Sequence, residues 1–191
     1  MKPFDPRAYG PLFAPLLDVD RNRELGPGTP NEAALGELQS LTPETALAHA
    51  RLVDRQMGQL CLAGVWLLHD FLDESHHISA QVSTVEGSYW HGVMHRREQD
   101  FTNSKYWFNR TGDHPIFDPL NEAAHALAAG RPLDEPAELL AIEKTWDPFV
   151  FVDVCETIAQ GETEAEPIAR QVAQREWELL FDYCYQAALG R

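Results

Sequence analysis

The segment VSTVEGSYWHGVMHRRE at residues 82–98 decides the fold prediction, because its residues separate into two faces when wound on an α-helix. The apolar face consists of Val82, Val85, Tyr89, Trp90, Val93 and Met94. The polar face consists of Thr84, Gly87, Ser88, His91, His95 and Glu98. Since the polar face has no lysine and carries small and imidazole groups, we expect a helix over about 84–98 whose polar face lines a cleft.

Helical signals continue on both sides of this segment. Upstream, Thr42 and Pro43 form a helix start. Apolar residues between Leu60 and Leu72 recur at three- and four-residue steps, so a buried helix is expected to end near residue 73 or 74. Downstream, four more helices are each closed by a glycine, and they are expected at about 103–111, 118–130, 146–160 and 166–189. The sequence therefore predicts an all-α fold, a single-domain multi-helix bundle over residues 41–191.

Residues 1–40 are expected to form an extended, proline-rich N-terminal arm packed on the bundle, with one short helical turn at 31–38. Long regular structure is disfavoured in the arm by Pro3, Pro6, Pro11, Pro15, Gly26, Pro27, Gly28 and Pro30. The arm is too apolar for a free tail, because it also holds Phe4, Tyr9, Leu12, Phe13, Leu16 and Leu17. Such an arm could instead hold a partner subunit, so the sequence is compatible with a homodimer.

The acidic composition limits the classes of partner. The 191-residue chain has a formal net charge of -15 and a pI near 4.8, so long-range repulsion opposes an encounter with nucleic acid or an anionic membrane. A small anionic molecule stays compatible, because it needs only local positive charge. No signal-peptide pattern is found, nor an apolar run of the roughly 18 residues that span a membrane. With three dispersed cysteines expected to be reduced and buried, we predict a cytoplasmic protein.

The histidines of the polar face have the spacing of metal ligands. His91 and His95 stand four residues apart and Glu98 follows three residues later, so their side chains can converge on one divalent metal ion. Gly92 stands where the motif H-E-x-x-H has its glutamate base, so a zincin mechanism is not implied. Further ligand candidates in the sequence are His76, His77, Asp153 and Glu156. The alternative is that no metal binds and that the histidines are hydrogen-bonded in a polar cleft or form a partly solvated face.

A local group of cations, consisting of Arg96, Arg97, Lys105 and Arg110, reverses the sign of the charge beside this face. Arginine suits bidentate binding of a carboxylate or phosphate, so an anion pocket is one interpretation. The other is that Arg96 and Arg97 pair with acidic residues elsewhere and tie helices together. Further candidates for ligand binding are the polar or aromatic residues His76, Ser88, Asn103 and Tyr106.

The run YWHGVMHRRE at residues 89–98, followed by Asp100, Asn103 and the aromatic residues 106–108, resembles a family of uncharacterised microbial proteins. Their shared motif reads YWHxxMHRRExDxxNxxYWF. No activity is established for that family, so the resemblance implies no reaction, cofactor or residue role. Gln99 stands where the family pattern has proline, and this departure affects only the local turn.

Three functions are compatible with these residues. The favoured one is an enzyme acting on a small anionic or polyhydroxylated molecule, in which His91 or His95 serves as general base or metal ligand and Glu98 as an orienting or ligating carboxylate. In that enzyme Arg96, Arg97 or Lys105 would hold the anion. The second is a ligand-binding or regulatory module without turnover. The third is a structural protein whose arginines and histidines tie acidic helices together.

Overall fold

Eleven α-helices and one short 3-10 helix, Pro6–Tyr9, account for the regular structure, and no strand occurs among the described residues. The computed structural model describes residues 3–131, 133–161, 163 and 165–191. The helices are α1 (Phe13–Leu17), α2 (Leu35–Ser40), α3 (Pro43–Ala46), α4 (Arg55–Leu68), α5 (Leu72–Ser79), α6 (Val85–Arg97), α7 (Phe101–Thr111), α8 (Phe117–Ala128), α9 (Glu135–Ile142), α10 (Pro148–Ala159) and α11 (Glu166–Ala188). The predicted all-α, multi-helix fold class is therefore confirmed.

Helices α4, α6 and α11 meet at the centre of the core, where α4 packs against both of the others. Gly64 of α4 faces the indole of Trp90 on α6, and a Cβ at Gly64 would lie 2.8 Å from that ring. On the other side, the indole nitrogen of Trp177 on α11 donates a hydrogen bond to the Gly64 carbonyl at 2.9 Å. The missing side chain at Gly64 therefore allows three helices to approach one point.

Side-chain caps fix the hairpin of α6 and α7. Thr84 accepts a hydrogen bond from the Gly87 amide at 3.1 Å, and Asp100 accepts one from the Asn103 amide at 3.2 Å. The turn between the two helices places Gln99 at φ 64°, a conformation that proline cannot adopt.

The helix predicted to continue to residue 73 or 74 is shorter, because the chain breaks between α4 and α5. Leu68 is the last residue of α4, and Asp70 adopts the left-handed φ of 63° before α5 begins at Leu72. The His69 ring is held by the Leu16 carbonyl at 2.9 Å and lies 2.9 Å from the Asn31 amide nitrogen. Tertiary contacts with the arm therefore override a continuous helical pattern.

The arm is packed on the bundle but is not extended throughout. Short helices form at Pro6–Tyr9, Phe13–Leu17 and Leu35–Ser40, and the side chains of Phe13 and Leu17 are fully buried. The prolines lie in the first turns or between these helices, which limits helix length without excluding helices. Helix α9, which the sequence pattern did not predict, begins with Asp134 as its cap.

Of the helices in the described part of the chain, none has the length and apolarity to cross a lipid bilayer. The three cysteines, Cys61, Cys155 and Cys184, are free thiols and buried, as predicted.

We expect Gly64→Ala to destabilise the fold by about 1–3 kcal/mol, because its methyl group overpacks against Trp90. Gly36→Ala is the matched control, since Gly36 lies in helix α2 and a Cβ there would have no neighbouring atom within 4 Å, and it should leave stability equal or slightly higher. Urea unfolding of both variants followed by circular dichroism measures the difference. Equal stability of the two variants would show that α4 and α6 do not need this close approach.

His114 lies in a buried aromatic environment formed by Tyr89, Phe117 and Tyr183. Its Nδ1 accepts a hydrogen bond from the Ile116 amide at 3.3 Å, whereas its Nε2 is buried without a partner among the described residues. Burial lowers the pKa of His114 to about 4, and the nearby carboxylates oppose this only in part. The imidazole is therefore neutral in the folded protein near neutral pH.

Stability should fall as the pH decreases from about 6.5 to about 4, because the unfolded chain takes up a proton on His114 before the folded chain does. Across that window the loss due to this one group is about 3 kcal/mol. Urea unfolding at several pH values, on the wild type and on His114→Gln, measures it. The variant should lose less stability on acidification, with the rest of the loss due to His69, His91 and His95, whose pKa values burial also lowers. Identical pH slopes would contradict the assignment to His114.

Candidate functional site

Three histidines from two helices meet at one point, and we call them the histidine triad: His76 on α5 with His91 and His95 on α6. The rings of His91 and His95 lie 4.8 Å apart, as expected for positions i and i+4 of a helix. The His76 ring lies 4.6 Å from that of His91 and 5.2 Å from that of His95. One nitrogen atom from each ring lies within 4.8 Å of the other two.

The approach of α5 to α6 depends on Gly87 in the first turn of α6. A Cβ at this position would collide with the Val82 carbonyl oxygen at the end of the connection from α5. The small residue on the polar face, noted in the sequence, therefore lets the chain return tightly enough for His76 to reach His91 and His95.

His91 is the most enclosed member of the triad. Its ring stacks on the indole of Trp107 with centroids 3.8 Å apart and an interplanar angle of 13°. Its Nδ1 is buried and has no hydrogen-bond partner among the described residues. Burial, followed by the proximity of His95 and His76, lowers the pKa of His91 to about 3. The ring is therefore neutral near neutral pH, the state in which imidazole binds a metal.

His95 is held by polar groups at both ring nitrogens. Its Nδ1 lies 3.2 Å from Glu98 Oε2, and its Nε2 lies 3.1 Å from the side-chain nitrogen of Asn103. Burial is the largest influence on the pKa of His95 and lowers it, while the charge of Glu98 opposes this shift. Glu98 thus orients the ring rather than joining the three clustered nitrogens.

Exposure increases from the floor of the site to its walls. Ser88, His91 and His95 are buried, whereas His76, Asn103 and Trp107 are half-buried, and Tyr106 is 54% exposed. The polar face of α6 is therefore the floor of a groove, with α5 and α7 as its walls. The Ser88 hydroxyl donates to the Thr84 carbonyl within α6, so it is already engaged.

The other residues proposed from the sequence occupy different positions. Lys105 forms an ion pair with Asp153. The Arg110 guanidinium lies 5.5 Å from the Trp107 ring centre and 6.0 Å from that of Tyr106. Arg110 is therefore close to the rim of the groove. The carboxylate of Asp153, a candidate metal ligand, is paired with Lys105 instead.

The structure does not bring Arg96 and Arg97 to the histidine face. They follow His95 directly, so the helix turns them about 100° and 200° away from it. Arg96 forms an ion pair with Glu176 on α11, and Arg97 donates to Asp70 Oδ1 at 2.6 Å. All four of these side chains are buried. Their observed contacts fit the alternative of the sequence analysis, in which arginines tie helices together.

Among the described residues, only the histidine triad meets the spacing needed for a metal site of three or more ligands. Of the candidates for a further metal ligand, His76 joins His91 and His95. His77 instead contacts Gln81, and Asp153 forms an ion pair with Lys105. Trp107, which stacks on His91, was not singled out as a site residue from the sequence. Its position four residues after Asn103, on the same face of a helix, is the signal that could have placed both beside the triad.

These features define the class of the protein as an all-α protein with a partly buried histidine triad formed by two adjacent helices, α5 and α6. The chain matches no family model, no curated protein and no solved structure.

Replacing Glu176 by glutamine should destabilise the protein by about 3–5 kcal/mol, because it leaves the buried Arg96 charge without a counter-ion. The matched control is Glu44→Gln, which removes the partner of Arg55 in an exposed ion pair and should change stability little. Urea unfolding monitored by circular dichroism compares the two. A small, equal loss in both variants would contradict a structural role for Arg96.

Proposed function

We propose that the protein is a metal-dependent enzyme whose metal ion is held by His76, His91 and His95. The observation that supports this most directly is the clustering of three imidazole nitrogens within 4.8 Å of one another. Imidazole is a ligand for zinc, copper, iron and nickel, and it does not suit magnesium or calcium. Zinc is the best fit to three neutral imidazole ligands without a thiolate.

The spacing of the triad is close to that of a bound state. Around a tetrahedral zinc ion with bonds of about 2.0–2.1 Å, ligand nitrogens lie about 3.4 Å apart. Reaching that spacing from 4.8 Å requires the three rings to move closer together, and His95 to exchange its contact with Glu98 or Asn103 for the metal. The unpartnered Nδ1 of the buried His91 also supports a bound ion, since such atoms are rarely left unsatisfied.

Three protein ligands leave one coordination position for water or substrate, as in catalytic zinc sites. Zinc at this site would lower the pKa of a water molecule and so supply a nucleophile for attack on an electrophilic centre. Glu98 is the candidate base for that water, because its carboxylate lies at His95 and its side chain is 43% exposed to solvent. Asn103, Tyr106 and Arg110 are the nearest groups for a small anionic or hydroxylated substrate.

The triad should bind one equivalent of metal, and loss of one ligand should weaken that binding by at least about 100-fold. The test is titration of chelator-treated protein with Zn²⁺ by calorimetry, repeated with Co²⁺ by visible absorption. His76→Ala and His91→Ala are the ligand variants. His77→Ala is the matched control, because His77 is exposed on the same helix and lies outside the triad.

The same cobalt-loaded protein distinguishes an enzyme-like site from a closed one. Azide should change the visible spectrum when one coordination position is exchangeable, and a spectrum insensitive to azide would contradict a catalytic role. Two results would contradict a metal site: no stoichiometric metal in the wild type, or a loss of metal affinity in His77→Ala equal to that in the ligand variants. The triad would then be a hydrogen-bonded cleft without a metal ion.

A further inference from the structure

On another side of α6 lies a partly open cavity of about 30 Å³, between α4, α6, α11 and the arm. Its polar lining includes Arg21 and Arg23 from the arm and Arg96 and Arg97 from α6. One water needs about 10–15 Å³ of such space, so the cavity has room for two or three groups the size of a water molecule. Acetate, with one methyl group and two oxygens, is about that size, whereas phosphate, with four oxygens, is larger.

The arginines outnumber the buried carboxylates that pair with them. Asp70 binds both Arg23 and Arg97, while Glu176 binds Arg96 and Glu178 binds Arg21. Four guanidinium groups thus share three buried carboxylates, and Glu178 also pairs with Arg175. Glu24 lines the cavity as well, but it is exposed, so water screens its charge. The chain as a whole has a net charge of -15, whereas the lining of this cavity carries a local excess of positive charge.

A hydrogen-bond donor of the cavity is also unsatisfied. Arg23 uses Nη2 for Asp70, while its Nε is buried and has no partner among the described residues. Burial lowers the pKa of Arg97 and its bond to Asp70 opposes this, while the neighbouring charges of Arg23 and Arg96 lower it further. An anion would satisfy the donor and offset these neighbouring positive charges at once.

The remaining lining comes from α4, α6 and α11 and is apolar, including Leu67, Val93 and Trp177, except for Gln174, whose side-chain nitrogen donates to Glu178 at 2.9 Å. The Trp177 indole nitrogen already donates to Gly64, so this wall offers no polar group from Trp177. A ligand would therefore need an anionic end toward the arginines and a small apolar end toward this wall. The half-exposed Arg23 and the exposed Glu24 mark the entrance.

We propose that this cavity is a binding site for a small monocarboxylate, held by Arg23 and the neighbouring guanidinium groups. The site is separate from the histidine triad and does not depend on a metal ion there. Its ligand ties the arm to α6 and α11, because Arg21 and Arg23 belong to the arm.

Acetate is the probe, compared with chloride and inorganic phosphate at equal, low ionic strength. Calorimetric thermal unfolding should show a saturable stabilisation by acetate alone, and the line width of ¹³C-acetate in nuclear magnetic resonance should report binding independently of stability. Arg23→Gln should weaken acetate binding at least about 10-fold. Arg55→Gln should not, because it removes an exposed arginine that does not line the cavity.

Glu24→Gln is a second variant that keeps the test decisive if Arg23→Gln fails to fold. It removes an exposed negative charge at the entrance, so acetate should bind more tightly by a few-fold at low salt. An effect of acetate no greater than that of chloride would mean that only water or an adventitious ion fills the cavity. The proposal would be overturned by that result, by tighter binding of phosphate than of acetate, or by an unchanged acetate affinity in both Arg23→Gln and Glu24→Gln.

Discussion

The pairing of two consecutive buried arginines on α6 is the constraint on which the rest of the structure depends. Arg96 and Arg97 point in different directions from the helix axis, so each needs a carboxylate from a different element. Glu176 on α11 meets the first and Asp70, after α4, meets the second. Because an unpaired buried charge costs several kcal/mol, the two pairs fix both the rotation and the position of α6 between its neighbours.

Once α6 is fixed in rotation, its polar face can point in only one direction. His91 and His95 then lie between α5 and α7, where the rings of His76 and Trp107 cover them. The two sides of α6 bury polar groups in opposite ways. On one side, each arginine of α6 is bonded to a buried carboxylate. On the other, burial lowers the pKa of His91 to about 3, so that its imidazole is uncharged and keeps a lone pair available for a ligand.

The sequence predicted much of the fold because local signals act within a few residues. The two faces of residues 84–98 and the cap at Thr84 are local, and α6 begins and ends within one residue of that prediction. The break at Asp70 could not be predicted in this way, since its cause is contact with residues of the arm and with Arg97. The short helices Pro6–Tyr9 and Phe13–Leu17 were hidden for the same reason, because their burial against α11 stabilises segments that are too short to fold alone.

The candidate site also divides into features that the local sequence predicts and features that depend on tertiary packing. Helical spacing placed His91, His95 and Glu98 on one face, and the structure retains that arrangement on α6. Which residues approach from other helices is a property of tertiary packing, so His76 was one of several open candidates and Trp107 was not singled out as a site residue. For Arg96 and Arg97 the sequence supported two interpretations, because a guanidinium that binds a ligand and one that binds Glu176 have the same local pattern.

The histidine triad is therefore not an autonomous motif of one helix. His76 reaches α6 because the chain turns at Asp70, whose left-handed conformation is unfavourable for a non-glycine residue by about 1–2 kcal/mol. Two arginines bound to its carboxylate offset that cost, and the adjoining His69 is held by Leu16 of the arm. Any change that releases Asp70 would loosen α5 and with it the third ring of the triad. The geometry of the site thus depends on ion pairs and arm contacts that never touch it.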